Sequence, residues 1–396
     1  LPGVQKTRHS VNVVGMRRGA GYNEKRNFGK FFNQHRRVRD LGHFAGSLAF
    51  RLTGRGYQPI WQGFFFRPFD KMPLHSFNTV PLQRRKFLVH FETSLPRLGS
   101  DSFWVRHLKS TMAKRLAGPS CVGILALSET ARNIFQADYG QKWPQYLSEV
   151  EQKLHVLHPP QPAMVSSELL QNKFVSIECI QLCFVGRDFA RKGGIELLEA
   201  LSSCRETLPD WHLTIVSQLN LQDYATQLSG ELLEKSRLRV AQYLSEMKSH
   251  ITLIDSLPHE RVMDLMKGMH VGLLPTWADS YGYSCLEFQA AGCPVISTDI
   301  RALPEINNAD CGWVIEVPKQ AHGVDAALET LAERRVFSKR LEQELATCLA
   351  GILEPGSSRD ATLQSKAQAA LERIKSQHDP VAHGEQLAKF VDALEA

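Results

Sequence analysis

The chain contains no apolar run approaching the roughly 18–20 residues that a bilayer-spanning helix needs, so a helical membrane span is not expected. Leu1 to Ser10 is polar and basic and lacks the apolar core of a signal peptide. The eight cysteines (121, 179, 183, 204, 285, 293, 311 and 348) form no CxxC pair and no disulfide-framework spacing. Most fall in predicted strands or helices, where a free Cys acts as a small buried hydrophobe, and a reduced, cytoplasmic protein is expected. The fifteen histidines include no HExxH and no compact cluster with acids, which argues against a catalytic metal. No GxGxxG follows the first predicted strand. The glycines of Gly15-Met-Arg-Arg-Gly19-Ala-Gly21 are wrongly spaced for a dinucleotide fingerprint, and no cofactor is implied. Helix-turn-helix, zinc-finger and RNA-binding signatures are also missing, so nucleic acid is not an expected partner. Low-complexity tracts and internal repeats are absent.

Acidic residues are scarce in the first third. Residues 1–120 hold 22 Lys/Arg against 5 Asp/Glu, a balance of +17, and the remainder holds 25 against 36, or −11, which together make the net +6. A solvated basic face is the ordinary reading of such a bias, but one this large also attracts anions or an anionic membrane surface.

What is present is the composition of a globular protein, 43% hydrophobic, and a length of 396 residues that fits two α/β domains. Val11 to Gly15 reads as a strand, followed by a basic and aromatic connection from Met16 to Arg39. An apolar helical spacing over 42–53 then leads to a strand at 57–65. Further strands are predicted at Lys86–Glu92, Cys121–Leu127 and Leu154–His158, with Ser128 as a helix N-cap. Pro159-Pro160-Gln161-Pro162 is the best candidate domain boundary. Beyond it, the apolar run from Ile180 to Val185 has the pattern of a parallel strand covered on both faces. Strands at Trp211–Ser217, Ile251–Asp255, Val271–Leu274 and Pro294–Thr298 alternate with helices, as in a doubly wound sheet. From Gln320 the pattern is helical to the end, closing with Val381–Leu394.

Three segments carry candidate chemistry. In the first, a strand ends at Leu274 and a loop containing Asp279 and Gly282 enters a helix expected to start near Ser284. Its free amides can hold an anion, and Glu287, expected in the first turn, can reach a diol. Gly292-Cys-Pro294 ends that helix. In the second, Gly186-Arg187 and Arg191-Lys192-Gly193-Gly194 place cations just past a strand end, where they can stabilise a leaving diphosphate. In the third, His90 and Glu92 are two apart on a predicted strand and so share a face at its C-terminal end.

The two acidic positions separated by seven, Asp279 and Glu287, followed by a helix and Gly292-Cys-Pro294-Val295, resemble the signature of family 4 glycosyltransferases. The resemblance covers most of the second domain. It implies the α/β GT-B fold, two Rossmann-like domains facing across a cleft. The N-terminal acceptor-binding domain would be 1–160, the nucleotide-sugar-binding domain 161–378, and the last helix, 379–396, would pack back on the first. It also implies a retaining, metal-independent transfer from a nucleoside diphosphate sugar to a glycan or lipid-linked acceptor. By the same resemblance Glu287 binds the ribose, Asp279 (where Glu is usual) faces the donor sugar, and Arg187 and Lys192 meet the diphosphate. Gly186, Tyr281, Gly282, Tyr283 and Ser284 complete the donor set. His90 would lie near the donor sugar and Glu92 would contact the acceptor; separately, the long basic connection that holds Arg17 and Arg18 is expected beside the cleft on the acceptor side. The competing functions are a sugar-nucleotide epimerase of the same fold and a catalytically silent binding subunit.

Overall fold

The computed structural model describes residues 10–14, 34–38, 73–98, 103–204, 210–354 and 357–395. They divide into two units, 1–160 with 378–396, and 161–377.

The first unit contains a parallel sheet of β1 (Ser10–Val14), β2 (Gln34–Val38), β3 (Leu74–Phe77), β4 (Phe87–Phe91), β5 (Cys121–Ala126) and β6 (Leu154–Val156). Their order is β2-β1-β3-β4-β5-β6. Strand β2 corrects the reading of Met16 to Arg39 as one long connection. Arg36 and Arg37 lie in a strand, in register with Asn12 and Val13 of β1. The expected helix over 42–53, the strand at 57–65, and Arg17 and Arg18 lie outside the described residues.

Helices α1 (Phe103–Ala117), α2 (Glu129–Lys142) and α3 (Leu147–Glu151) follow the strands of this sheet. Ser128 caps α2, its hydroxyl accepting from the Ala131 amide at 3.0 Å. Phe87, Val89 and Phe91 of β4 enter a core with Met112, Leu116, Phe135 and Tyr139. The opposite face of the sheet, with Leu88 and Leu125, packs against Leu387 and Leu394 of the last helix. His378 and His383 hold that chain end through Nδ1 contacts of 2.9 Å to the Pro159 and His158 carbonyls.

The second unit begins with α4 (Ser167–Lys173). Its sheet comprises β7 (Ile180–Val185), β8 (Trp211–Val216), β9 (Ile251–Ile254), β10 (Val271–Leu274), β11 (Val295–Thr298) and β12 (Gly312–Ile315). The order is β12-β11-β10-β7-β8-β9, all parallel. This is the Rossmann order, in which the winding reverses between the first and fourth strands, here β7 and β10. Helices α5 (Gly194–Cys204), α6 (Gly230–Glu246), α7 (His259–Lys267), α8 (Tyr283–Ala290) and α9 (Leu303–Ile306) connect the strands. Three long helices close the chain: α10 (Leu331–Leu353), α11 (Ser357–Gln377) and α12 (Pro380–Glu395). The helical pattern thus starts at Leu331 rather than Gln320, after turns bridged by Lys319 and Ala326. A capping box between Thr330 and Glu333 sets that start. No helix among the described residues is long and apolar enough to cross a membrane.

Candidate functional site

Ligands of doubly wound sheets bind beyond the strand ends where the order reverses. In the second unit that point receives the loop after β7, 186–193, and the loop after β10, 275–282. The two loops are tied together. The Arg191 carbonyl accepts from the Trp277 amide at 2.8 Å and the Thr276 hydroxyl at 3.1 Å. The Arg191 guanidinium donates to the Ala278 carbonyl at 2.6 Å and to Asp188 at 2.8 Å.

This frame brings two of the anticipated residues into direct contact. Lys192 and Asp279 form an ion pair in which each side chain is only 14% exposed. Burial alone would push the Asp279 carboxyl up. The Lys192 charge and hydrogen bond, with Arg191 and the Ser280 amide, hold it below the usual carboxylate range instead. Arg187 is not part of this pair: it is 76% exposed and meets Asp188 at 3.3 Å. Asp188 also accepts from Asn220 at 3.3 Å and Arg191, and those hydrogen bonds and charges outweigh burial and lower its pKa. The sequence reading passed over Asp188; an acid set among Arg187, Arg191 and Lys192 was the available signal.

The second part of the site is the start of α8. Gly282 is its N-cap at φ +95° and has no side chain of its own to cap the first-turn amides. A Cβ at Gly282 would stand 2.4 Å from Leu303 Cδ2, so glycine here serves the turn and its packing. The Tyr281 ring is buried, 5.2 Å from that of Tyr283. Ser284 Oγ is enclosed and makes no hydrogen bond among the described residues. Glu287 is 6% exposed. Because α8 starts at Tyr283, Glu287 falls in its second turn and not the first, as the sequence suggested. A helix-dipole role, which fades after the first turn, therefore accounts for it less well. His259, the first residue of α7, brings Nε2 to 4.0 Å from the Glu287 carboxylate, a pairing invisible in a sequence where the two are 28 apart.

In the first unit, β4 ends at Phe91, so His90 and Glu92 do not share a strand face as expected. Asn78 draws Glu92 out of the strand, accepting from its amide at 3.1 Å and donating to its carboxylate at 3.3 Å. Arg97 lies 3.5 Å from the same carboxylate. The His90 ring is fully buried, 4.8 Å from the His75 ring, with neither nitrogen hydrogen-bonded among the described residues. Burial, then the His75 and His383 charges, pushes its pKa well below the ordinary value and keeps it neutral.

Burial likewise takes His270 of the second unit down to about 4, with Lys173 adding to the shift. Both groups have folded pKa values below their unfolded ones. Above about pH 6.5 neither state is protonated, and below it the unfolded chain takes up protons that the folded chain refuses. Stability should therefore fall with pH below about 6.5, by up to roughly 1.4 kcal/mol per unit for each histidine. Urea unfolding at pH 7 and pH 5 checks this. His90→Leu should flatten the slope by one proton, and an unchanged slope would show that His90 does not resist protonation.

Residues 172–346, within the second unit, match the family model described as Glycosyl transferases group 1. Among curated proteins, the glycogen synthase of Mycobacterium tuberculosis is 26% identical over 161 residues, 40% of this chain and 36% of the relative. The chain thus matches little more than a third of those relatives' length. Among solved structures, a glycosyltransferase from Rickettsia africae superposes with a TM-score of 0.59 at 13% identity, covering 98% of this chain and 99% of that one. Anabaena Alr3699/HepE, solved in complex with UDP, gives 0.60 at 12% identity over 97% of this chain and 100% of the other. The fold is α/β GT-B, built from two Rossmann-like units.

Proposed function

We propose that the chain is a metal-independent, retaining glycosyltransferase of family 4. It moves a sugar from a nucleoside diphosphate sugar to a glycan or lipid-linked acceptor recognised by the first unit. The observation that carries this reading is the joining of Lys192, Asp279 and Arg191 at the strand ends where the second sheet reverses. The glycine-capped start of α8 and the buried Glu287 follow in the same segment. The UDP bound to the Anabaena protein supports a nucleoside diphosphate donor here.

In this mechanism the diphosphate occupies the α8 amides and draws Lys192 from Asp279. As the bond between sugar and phosphate oxygen breaks, the oxygen keeps the electron pair, and Lys192 and Arg187 meet the growing charge. The acceptor oxygen bonds to the anomeric carbon on the face the phosphate leaves, and its proton passes to the leaving phosphate oxygen. Asp279, released from Lys192, faces the sugar hydroxyls, and Glu287 receives the ribose diol. The His90 ring is fully enclosed and so makes no contact with the donor sugar, while Glu92, Arg17 and Arg18 take the acceptor. The protein works in the cytoplasm, peripheral to an anionic membrane.

Donor binding is the direct test. Glu287→Ala should fold and lose about 10- to 100-fold in nucleoside diphosphate affinity, the worth of a hydrogen bond to a charged group. Unchanged affinity by calorimetry would remove the ribose role. Transfer should also survive EDTA, and a complete, metal-reversible loss would overturn the metal-free mechanism. Release of an epimerised nucleotide sugar without acceptor would identify an epimerase.

A further inference from the structure

Helix α1 carries two adjacent aromatic rings that nothing in the donor site uses. Phe103 and Trp104 are 68% and 69% exposed, and they stand edge to face with centroids 5.7 Å apart. Isolated exposed apolar residues are ordinary, but two large rings side by side at a helix start are not. The remainder of the helix is equally one-sided. Val105, Met112, Ala113 and Leu116 are buried in the unit, while Arg106, His107, Ser110, Thr111 and Lys114 are exposed. Phe103, His107, Ser110 and Lys114 recur at i, i+4, i+7 and i+11 and so run down one face. The helix holds no acidic residue, and Lys114 and Arg115 occupy its last turn. Exposed Arg84 is close enough to the Arg115 guanidinium to add its charge there.

We infer that this face of α1 is a docking surface for an anionic lipid bilayer, with Phe103 and Trp104 entering the headgroup boundary and Arg106, Lys114 and Arg84 meeting lipid phosphates. Aromatic rings partition to that boundary, and cations on the polar side of a surface helix add attraction to anionic lipid. A neutral glycan would explain the rings but not the acid-free cationic face. The edge-to-face contact also covers one ring face that a stacked sugar would need. The inference rests on the proposed peripheral membrane placement and locates it. Since α1 follows the C-terminal end of β4, docking there would bring the ligand-binding edge of the first sheet to the bilayer, where a lipid-linked acceptor resides.

The test is flotation of the full chain with phosphatidylglycerol–phosphatidylcholine vesicles and with pure phosphatidylcholine vesicles. Binding should require the anionic lipid and weaken as salt is raised. Phe103→Ser with Trp104→Ser should lower the partition coefficient about tenfold. Arg106→Ser and Lys114→Ser should lower it about fivefold each. Leu238→Ser, an equally exposed apolar site in the second unit, should leave it unchanged. Equal melting temperatures would show that the variants fold. If the chain binds anionic vesicles and the Phe103/Trp104 variant binds as well as the parent, the α1 surface is wrong while the peripheral placement stands. If the chain floats with neither vesicle, or equally with both, the α1 surface and the anionic placement fall together. Intact flotation with lost transfer to a soluble glycan would make the pair an acceptor platform and overturn the docking role.

Discussion

Replacing Lys192 with alanine should lower turnover about 10²- to 10³-fold, the cost typical of removing one preorganised group that meets transition-state charge. The donor should still bind, because the α8 amides and Glu287 remain. The complication is that Lys192 also neutralises Asp279, and both side chains are largely enclosed. Breaking a fully buried pair costs about 3–5 kcal/mol, and the 14% exposure of each partner here places the cost toward the lower end. A turnover loss could therefore be mistaken for a folding loss. The double variant Lys192→Ala/Asp279→Asn separates the two, since it leaves no uncompensated carboxylate. It should recover most of the melting temperature and none of the turnover. The pH dependence gives a second check. The Asp279 carboxyl is held low in the parent, so its pairing stabilises the fold above the unfolded carboxylate range and is lost as pH falls through the depressed value. In Lys192→Ala the carboxyl loses its main countercharge and its folded pKa rises toward or past the unfolded value, so that loss on acidification should shrink or reverse. If the double variant regained turnover along with stability, Lys192 would be a structural partner of Asp279 only.

The second unit was easier to read in the sequence than the first, for reasons visible in its strands. β7, β8 and β10 are covered on both faces and appear as apolar runs bounded by turn residues. β2, Gln-His-Arg-Arg-Val, lies at a sheet edge, where its polar composition looks like loop, and only its pairing with β1 makes it a strand. β3, Leu-His-Ser-Phe, hides in the same way, because His75 and Ser76 are fully buried polar residues. Glycine and tryptophan open β12, a four-residue strand at the other sheet's edge, and give no alternation to recognise. The donor-site residues were legible one by one through motif spacing. Their grouping was not. Lys192 and Asp279 are 87 residues apart, and they meet because β7 and β10 are neighbours at the reversal, a property of strand order. Arg191 was legible as one more cation for the diphosphate and not as the residue whose carbonyl and guanidinium tie the two loops together.

That tie makes Gly193 the position where a single methyl group should do the most damage. Its φ is +79°, and a Cβ there would lie 1.9 Å from the Pro275 carbonyl oxygen and 2.8 Å from its carbon. The obstacle is backbone, so no rotamer change relieves it. The loop after β7 must move away from the loop after β10, stretching the Trp277–Arg191 hydrogen bond and drawing Lys192 from Asp279. Left-handed backbone costs an L-residue about 1–2 kcal/mol, and forcing atoms into filled space adds about 1–3. Gly193→Ala should therefore destabilise the second unit by about 2–5 kcal/mol, and whatever remains folded should bind nucleoside diphosphate at least 100-fold more weakly. Gly230 supplies the control. It sits at φ +52° at the start of α6, with nothing within 4 Å of a Cβ. Gly230→Ala should thus lose only the backbone share, about 1–2 kcal/mol, and keep its donor affinity. Urea unfolding followed by second-unit tryptophan emission, with calorimetry on the folded fraction, measures both quantities. Equal destabilisation of the two variants would mean that the contact with Pro275 relaxes freely. The strand-end loops would then not be held as one frame, and the placement of Lys192 would have to rest on the ion pair alone.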